Sequence, residues 1–216
     1  MGAHCFSDGI EKSFALPAPR TRRHSLASII RIQAAWRGYK QRKHSCQPSQ
    51  TYLAYADGSC YIGHAEAGLR HGHGVQLWPD GSRYEGRWQH NTQTGHGQYC
   101  DAEGNVYSGW WRSGAVHGVG VISKADGSRY EGELDNNQQH GQGQEWWPNG
   151  DFFIGSYQCG QKHGFGRYEW ADGSTYVGNF ANNRFHGEGV LTLHTGHTYT
   201  GTWVYGKYQA VNSVVK

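Results

Sequence analysis

No run in this chain approaches the roughly 18–20 consecutive apolar residues needed to cross a bilayer, so it offers no transmembrane helix. A secretory-type apolar core is also missing near residue 1, and the chain is expected to be intracellular. Cysteine is sparse and scattered. Cys5, Cys46, Cys60, Cys100 and Cys159 are odd in number and form no C-x-x-C pair, which argues against a disulfide framework and against a cysteine-based zinc site. The complete phosphate-loop motif Gly-x-x-x-x-Gly-Lys-Ser/Thr does not occur, although 33 of the 216 residues are glycine. Catalytic constellations are lacking too. Carboxylates such as Asp57, Asp80, Asp126 and Asp172 stand at expected turns, which is turn chemistry and not acid–base chemistry. The chain is therefore not expected to be an enzyme, to carry a cofactor or to bind a metal.

Negative charge is missing from one end. Between residues 12 and 56 there are nine Lys/Arg and no Asp/Glu, whereas from residue 57 onward 11 Lys/Arg face 15 Asp/Glu. The basic arm suits an acidic protein or an anionic membrane. The remainder has no excess of positive charge for a phosphate backbone, and no nucleic-acid partner is expected.

Residues 1–24 read as a flexible segment, with Pro17 and Pro19 as breakers. Removal of Met1 would expose Gly2, the residue that can be N-myristoylated, although Phe6 stands where the usual motif has Ser or Thr. Cys5 is a candidate for palmitoylation, and Arg20, Arg22 and Arg23 could add the basic contribution that a single acyl chain needs. Residues 25–46 follow a different pattern. Ile29, Ile32, Trp36 and Tyr39 step by three and four, one stripe of a helix whose other faces carry Arg31, Arg37, Lys40, Arg42 and Lys43. A basic amphipathic helix fits a membrane surface or the groove of a calmodulin-like protein.

The run Ile32-Gln33-Ala34-Ala35-Trp36-Arg37-Gly38-Tyr39-Lys40-Gln41-Arg42 resembles an IQ motif. The resemblance implies calmodulin or a related EF-hand light chain as partner. Ile32 and Tyr39 would be apolar anchors, with Ile29 and Trp36 on the same stripe. Gln33 would hydrogen-bond inside one lobe, Arg37 and Arg42 would pair with acidic side chains, and Gly38 would allow close approach.

From residue 50 to 208 the chain repeats. Tyr61, Tyr84, Tyr107, Tyr130, Phe153, Tyr176 and Tyr199 are each 23 residues apart, and a glycine follows two residues after each. A register this strict marks a stacked array. Tyr84, Gly86 and Trp88 alternate with Arg83, Glu85 and Arg87, the period of a strand with one buried face. A column of Gly68, Asn91, Gly114, Asn137, Gly160, Asn183 and Gly206 holds the residues that tolerate positive φ. Asp-Gly marks a second hairpin turn. The unit Asp-Gly-x-x-Tyr-x-Gly-x-Trp-x-x-Gly-x-x-His-Gly-x-Gly resembles the MORN repeat (membrane occupation and recognition nexus). Six full units, a partial seventh and an initial half-unit at Tyr52–Tyr55 are expected. The predicted fold is all-β: one elongated, twisted antiparallel sheet of consecutive hairpins, about thirteen strands, preceded by the basic helix and followed by a short tail at 209–216.

Two aromatic rows, Tyr61 to Tyr199 and Trp88, Trp111, Tyr157, Phe180 and Trp203, flank a row of glycines. A single sheet has no second layer to cover such a face. Core packing accounts for much of it, and the sharper expectation is a groove in which the glycines leave room for the bulky rings and for a helix or extended peptide of an unidentified protein. His71, His117, His140, His163 and His186 form another column. Neighbours in that column should lie about 9–10 Å apart, too far to share an ion, so a turn role with the ring bonded to backbone is expected.

The combined expectation is an adaptor that is cytoplasmic, membrane-associated or cytoskeletal. The MORN resemblance implies cortical, ciliary or flagellar settings. The alternatives are a phospholipid-binding module and a regulatory subunit of a larger enzyme.

Overall fold

The computed structural model describes residues 50–209, which form one open antiparallel sheet of 15 strands. The strands lie in chain order, from β1 (Thr51–Ala54), β2 (Cys60–Glu66), β3 (Leu69–Leu77), β4 (Arg83–Gln89), β5 (Thr92–Cys100) and β6 (Val106–Arg112) through to β15 (Lys207–Gln209). Seven-residue and nine-residue strands alternate, one of each per unit. The sheet is longer than expected because short strands cap it: β1 pairs with β2, and β15 pairs with Thr198–Val204. The predicted helix at 25–46 with its IQ residues, the acylation candidates Gly2 and Cys5, and residues 210–216 lie outside the described residues.

Two kinds of turn join the strands. The first is a two-residue turn within each unit. At Ala67–Gly68 both residues have positive φ, 49° and 77°, as a type I′ turn requires. The same holds at His90–Asn91, Ser113–Gly114, Asn136–Asn137, Cys159–Gly160, Asn182–Asn183 and Tyr205–Gly206. The Gly/Asn column is thus the second central residue. The first central residue is left-handed as well, although composition does not mark it, and Ala67, Cys159 and Tyr205 hold it at a cost of roughly 1–2 kcal/mol each.

The second turn contains Asp-Gly and has three residues. After β3, Trp78 N–H donates to Ser82 O and Gly81 N–H to Trp78 O, both at 3.0 Å. This is a type I turn closed by a left-handed glycine. Asp80 Oδ1 accepts from the backbone N–H of Ser82 at 2.9 Å and from its hydroxyl at 2.6 Å. Aspartate stands here for its carboxylate.

The asparagines of the first turn also tie successive units together. Asn137 N–H donates to Val116 O at 3.3 Å, and Asn137 Oδ1 accepts from Val116 N–H at 2.9 Å. Asn91 does the same with Arg70, and Asn183 with Lys162. Where glycine occupies the column, as at Gly160 opposite Gln139, the main-chain bond remains at 2.9 Å and no side chain adds a second. Asn137→Gly keeps the turn and orphans the Val116 N–H. Its expected loss is about 1 kcal/mol, or a melting midpoint roughly 2–4 °C lower. An unchanged midpoint in thermal denaturation would show that the side chain contributes nothing.

Candidate functional site

Strand alternation puts the two aromatic rows on one face. In β6 the burial alternates strictly around Tyr107, Gly109 and Trp111. Gly63 pairs with Gly74 across β2 and β3, and Gly86 with Gly97 across β4 and β5. Over these glycine pairs lies the aromatic ring that precedes them, tyrosine in most units and Phe153 in one. A Cβ on Gly63 would stand 2.6 Å from Tyr61 Oη, and one on Gly166 would stand 2.6 Å from Phe153 Cζ. The space between the rows is therefore filled by the chain's own rings. The rings take up the room that the glycines were expected to leave for them and for an incoming segment. Of the twelve aromatic residues proposed for the groove, eleven are buried and only Tyr199 is exposed, at 42%.

The rings cover one another edge to face. Tyr84 meets Trp88 and Trp111 with centroids 5.0 Å away in each case, so this tyrosine bridges two units. Indole N–H groups are satisfied by main chain: Trp88 Nε1 donates to Gly74 O at 3.2 Å and Trp111 Nε1 to Gly97 O at 3.4 Å. In the row that starts at Tyr61, the buried tyrosine hydroxyls donate to a carbonyl three residues on, as Tyr130 does to Glu133 O at 2.7 Å and Tyr107 to Trp110 O at 2.8 Å. Burial pushes the Tyr61 and Tyr176 hydroxyls up to about 12, and raises those of Tyr84, Tyr107 and Tyr130 as well. Phe153 is fully buried and lacks the hydroxyl. Phe153→Tyr is expected to add this bond and to stabilise the array by about 0.5–1.5 kcal/mol, read by chemical denaturation. A loss would mean that this unit is packed too tightly for the extra oxygen.

The same face holds an ionic cluster. Lys162 Nζ donates to Glu145 Oε2 at 3.2 Å, and Tyr157 Oη donates to the same oxygen at 3.0 Å. The ammonium also sits 4.5 Å from the centroid of Trp147 and 5.1 Å from that of Phe153. Burial lowers the Lys162 pKa, and Glu145 acts in the opposite direction.

The opposite face carries groups that the repeat pattern does not single out. Trp110, Val119 and Phe165 are 55%, 65% and 61% exposed, and Ile154 is exposed as well. They stand at positions that vary from unit to unit, so no column marks them. On the same face Arg83 pairs with Glu85, Arg129 with Glu131, and Arg167 with Glu169 at 2.9 Å.

The histidine column occupies a kink in the long strands. The β2–β3 register shifts between Gly63 and Ala65, and Gly72 takes φ 62° there. The rings of His117 and His71 turn to side chains and not to the expected backbone groups. His117 Nδ1 lies 2.8 Å from Asp135 Oδ1. His71 Nδ1 is buried without a hydrogen-bond partner, although Glu66 Oε2 approaches to 3.4 Å outside bonding geometry. The ring of His90, from the next unit's turn, packs on His71 at 5.2 Å between centroids. Histidines of one column are too far apart to share an ion, whereas Glu66, His71 and His90 come from three different columns. Their ligand atoms all lie within 4.8 Å of one another. The readable signal is the residue spacing i, i+5, i+24, which the two adjacent turns bring together.

Comparison with protein families finds two matches: an IQ calmodulin-binding motif at residues 26–46, and MORN repeats at seven consecutive segments from 61–83 to 199–209. A search of curated proteins finds no match. Among solved structures, the SAS-4 (dCPAP) TCP domain of Drosophila melanogaster, solved with a proline-rich motif of Ana2 (dSTIL), is 17% identical with a TM-score of 0.38. The match covers 74% of this chain and 97% of that one. The G-box domain of the microcephaly protein CPAP is 13% identical with a TM-score of 0.39, covering 72% of this chain and 81% of that one.

Proposed function

The chain belongs to the MORN-repeat family and carries an IQ calmodulin-binding motif, and from that premise we propose that it is a non-enzymatic adaptor. The IQ segment holds calmodulin or a calmodulin-like light chain, and the sheet holds a protein partner. The match of residues 26–46 to the IQ motif carries this reading, because it lies in a segment with basic residues and no acidic ones. Ile29, Ile32, Trp36 and Tyr39 form the apolar stripe, Gln33 and Gly38 fit the lobe, and Arg37 and Arg42 reach its acidic rim. Since the aromatic ladder is consumed by internal packing, the partner surface of the sheet is better sought on the face with Trp110, Val119 and Phe165. A membrane–cytoskeleton or ciliary site suits an adaptor of this kind, with Gly2 and Cys5 as acylation points.

The experiment is a calmodulin pull-down with the full chain and its Ile32→Ala/Arg37→Ala form. Binding should fall at least about tenfold, the effect of roughly 1.4 kcal/mol. Equal capture of both forms would sink the IQ assignment. The phospholipid reading is disfavoured for the sheet by the Arg83, Arg129 and Arg167 ion pairs, which neutralise the charge that anionic headgroups would need. Flotation of the full chain with anionic vesicles, undiminished when the basic arm is neutralised, would reverse that judgement.

A further inference from the structure

The hairpin turns at the start of the array gather three donor groups of metal-ligand type. Glu66 ends β2, His71 lies in β3 just past the Ala67–Gly68 turn, and His90 is the first residue of the next such turn. We propose that Glu66, His71 and His90 form a binding site for a zinc-class divalent cation that fastens the first two units to each other.

Three observations support the site. The Glu66 Oε2 to His71 Nδ1 separation is 3.4 Å, which is the edge of a tetrahedron whose metal–ligand bonds are about 2.1 Å. Among the described residues, His71 Nδ1 and His186 Nδ1 are buried with no hydrogen-bond partner, a condition that calls for an explanation such as an ion, and of the two only His71 has two further ligand-type groups within reach. Glu66 and His90 are exposed, so the closure that remains, within the 4.8 Å span of the three atoms, requires side-chain rotation and no movement of the sheet. The donors are two imidazoles and one carboxylate. That set suits zinc and its neighbours in the first transition row, with a fourth position for water, whereas calcium and magnesium prefer oxygen-only shells.

The repeat supplies an internal comparison. The same three positions, three units later, hold Asp135, His140 and Cys159, also ligand types. There Asp135 Oδ1 is engaged by His117 Nδ1 at 2.8 Å, and the three do not converge. Among the described residues, Glu66 has no such competitor.

The test uses the untagged full chain, titrated with Co(II) and Zn(II) by visible absorption and calorimetry, alongside His90→Asn and Glu66→Gln. Asparagine occupies the position equivalent to His90 at Asn136 and Asn182, with φ 47° and 51°, so His90→Asn keeps the turn while removing the imidazole. Wild type should bind one equivalent of Co(II) with the visible bands of a four- or five-coordinate ion. His90→Asn should weaken that equivalent by at least about tenfold, since even outer-shell partners are worth that much, and should abolish the bands. Zinc should raise the melting midpoint of wild type and not that of His90→Asn, while the two melt alike without metal. Equal affinity and equal spectra in wild type and both variants would overturn the site. So would the absence of binding by wild type below millimolar metal, which would leave Glu66 and His71 as an ordinary ion pair.

Discussion

Gly143→Ala is expected to destabilise the array by about 3 kcal/mol or more, because overpacking here has no escape route. A Cβ on Gly143 would stand 2.5 Å from Tyr130 Cε2 and 2.6 Å from Tyr130 Cζ. The ring cannot move aside, since Tyr130 is 1% exposed and packs on Tyr157 with centroids 5.3 Å apart. Its hydroxyl is also anchored to Glu133 O. The opposite glycine offers no relief: a Cβ on Gly132 would lie 2.5 Å from the Gly143 Cα. At roughly 2–4 °C per kcal/mol for a domain of this size, the midpoint should fall by about 6–12 °C. Gly81→Ala is the control. Gly81 has φ 94°, and a methyl group placed on it would meet nothing within 4 Å, so only backbone strain of about 1 kcal/mol applies. Equal losses at Gly81 and Gly143 would mean that the ladder is not closed by contact between ring and glycine.

Glu145→Ala should be comparably severe. It strands the Lys162 ammonium, whose side chain is 13% exposed, among Trp147, Phe153 and Tyr157. Breaking a buried pair from one side typically costs about 3–5 kcal/mol, whereas replacing both partners with apolar groups is often neutral. The repeat shows which apolar groups fit. Ile122 and Leu191 stand where Glu145 does, and Val116 and Phe185 where Lys162 does. In a Tyr157→Phe background, which removes the hydroxyl that Glu145 accepts from and matches Phe180 one unit on, Glu145→Ile combined with Lys162→Val should therefore recover most of the loss seen in either single variant. A double-mutant cycle in denaturant measures this, and simple additivity of the two single losses would refute the coupling.

The 23-residue register is legible because every unit repeats the same demands on backbone and burial. Period-2 alternation gives the strands, and the Gly/Asn column gives the second residue of each two-residue turn. Contact between units is not legible in the same way. The column at Asn91, Asn137 and Asn183 reports a tolerance for positive φ, and nothing in it announces that the side chain also bonds to a strand of the preceding unit. The glycine row likewise reports room for bulky rings without saying whether an incoming segment shares it, and the chain's own rings take it up. Trp110 and Phe165 escape notice because they sit at positions the repeat does not hold constant. Glu66, His71 and His90 belong to three different columns, so reading down any one of them misses the cluster. The IQ segment is the reverse case: its meaning is local and complete in eleven residues.

The strand order equals the chain order, and this governs how the array bears load. The first and last strands lie at opposite edges of the sheet, and antiparallel hydrogen bonds run perpendicular to the strands. Tension between the two ends therefore pulls along the bonds and not across them. The sheet unzips from an edge, strand by strand, instead of resisting in shear. Each 23-residue unit released lengthens the chain by roughly 75 Å. A tether with this geometry yields in small steps at low force, and a ligand bridging neighbouring turns would set where the first step begins.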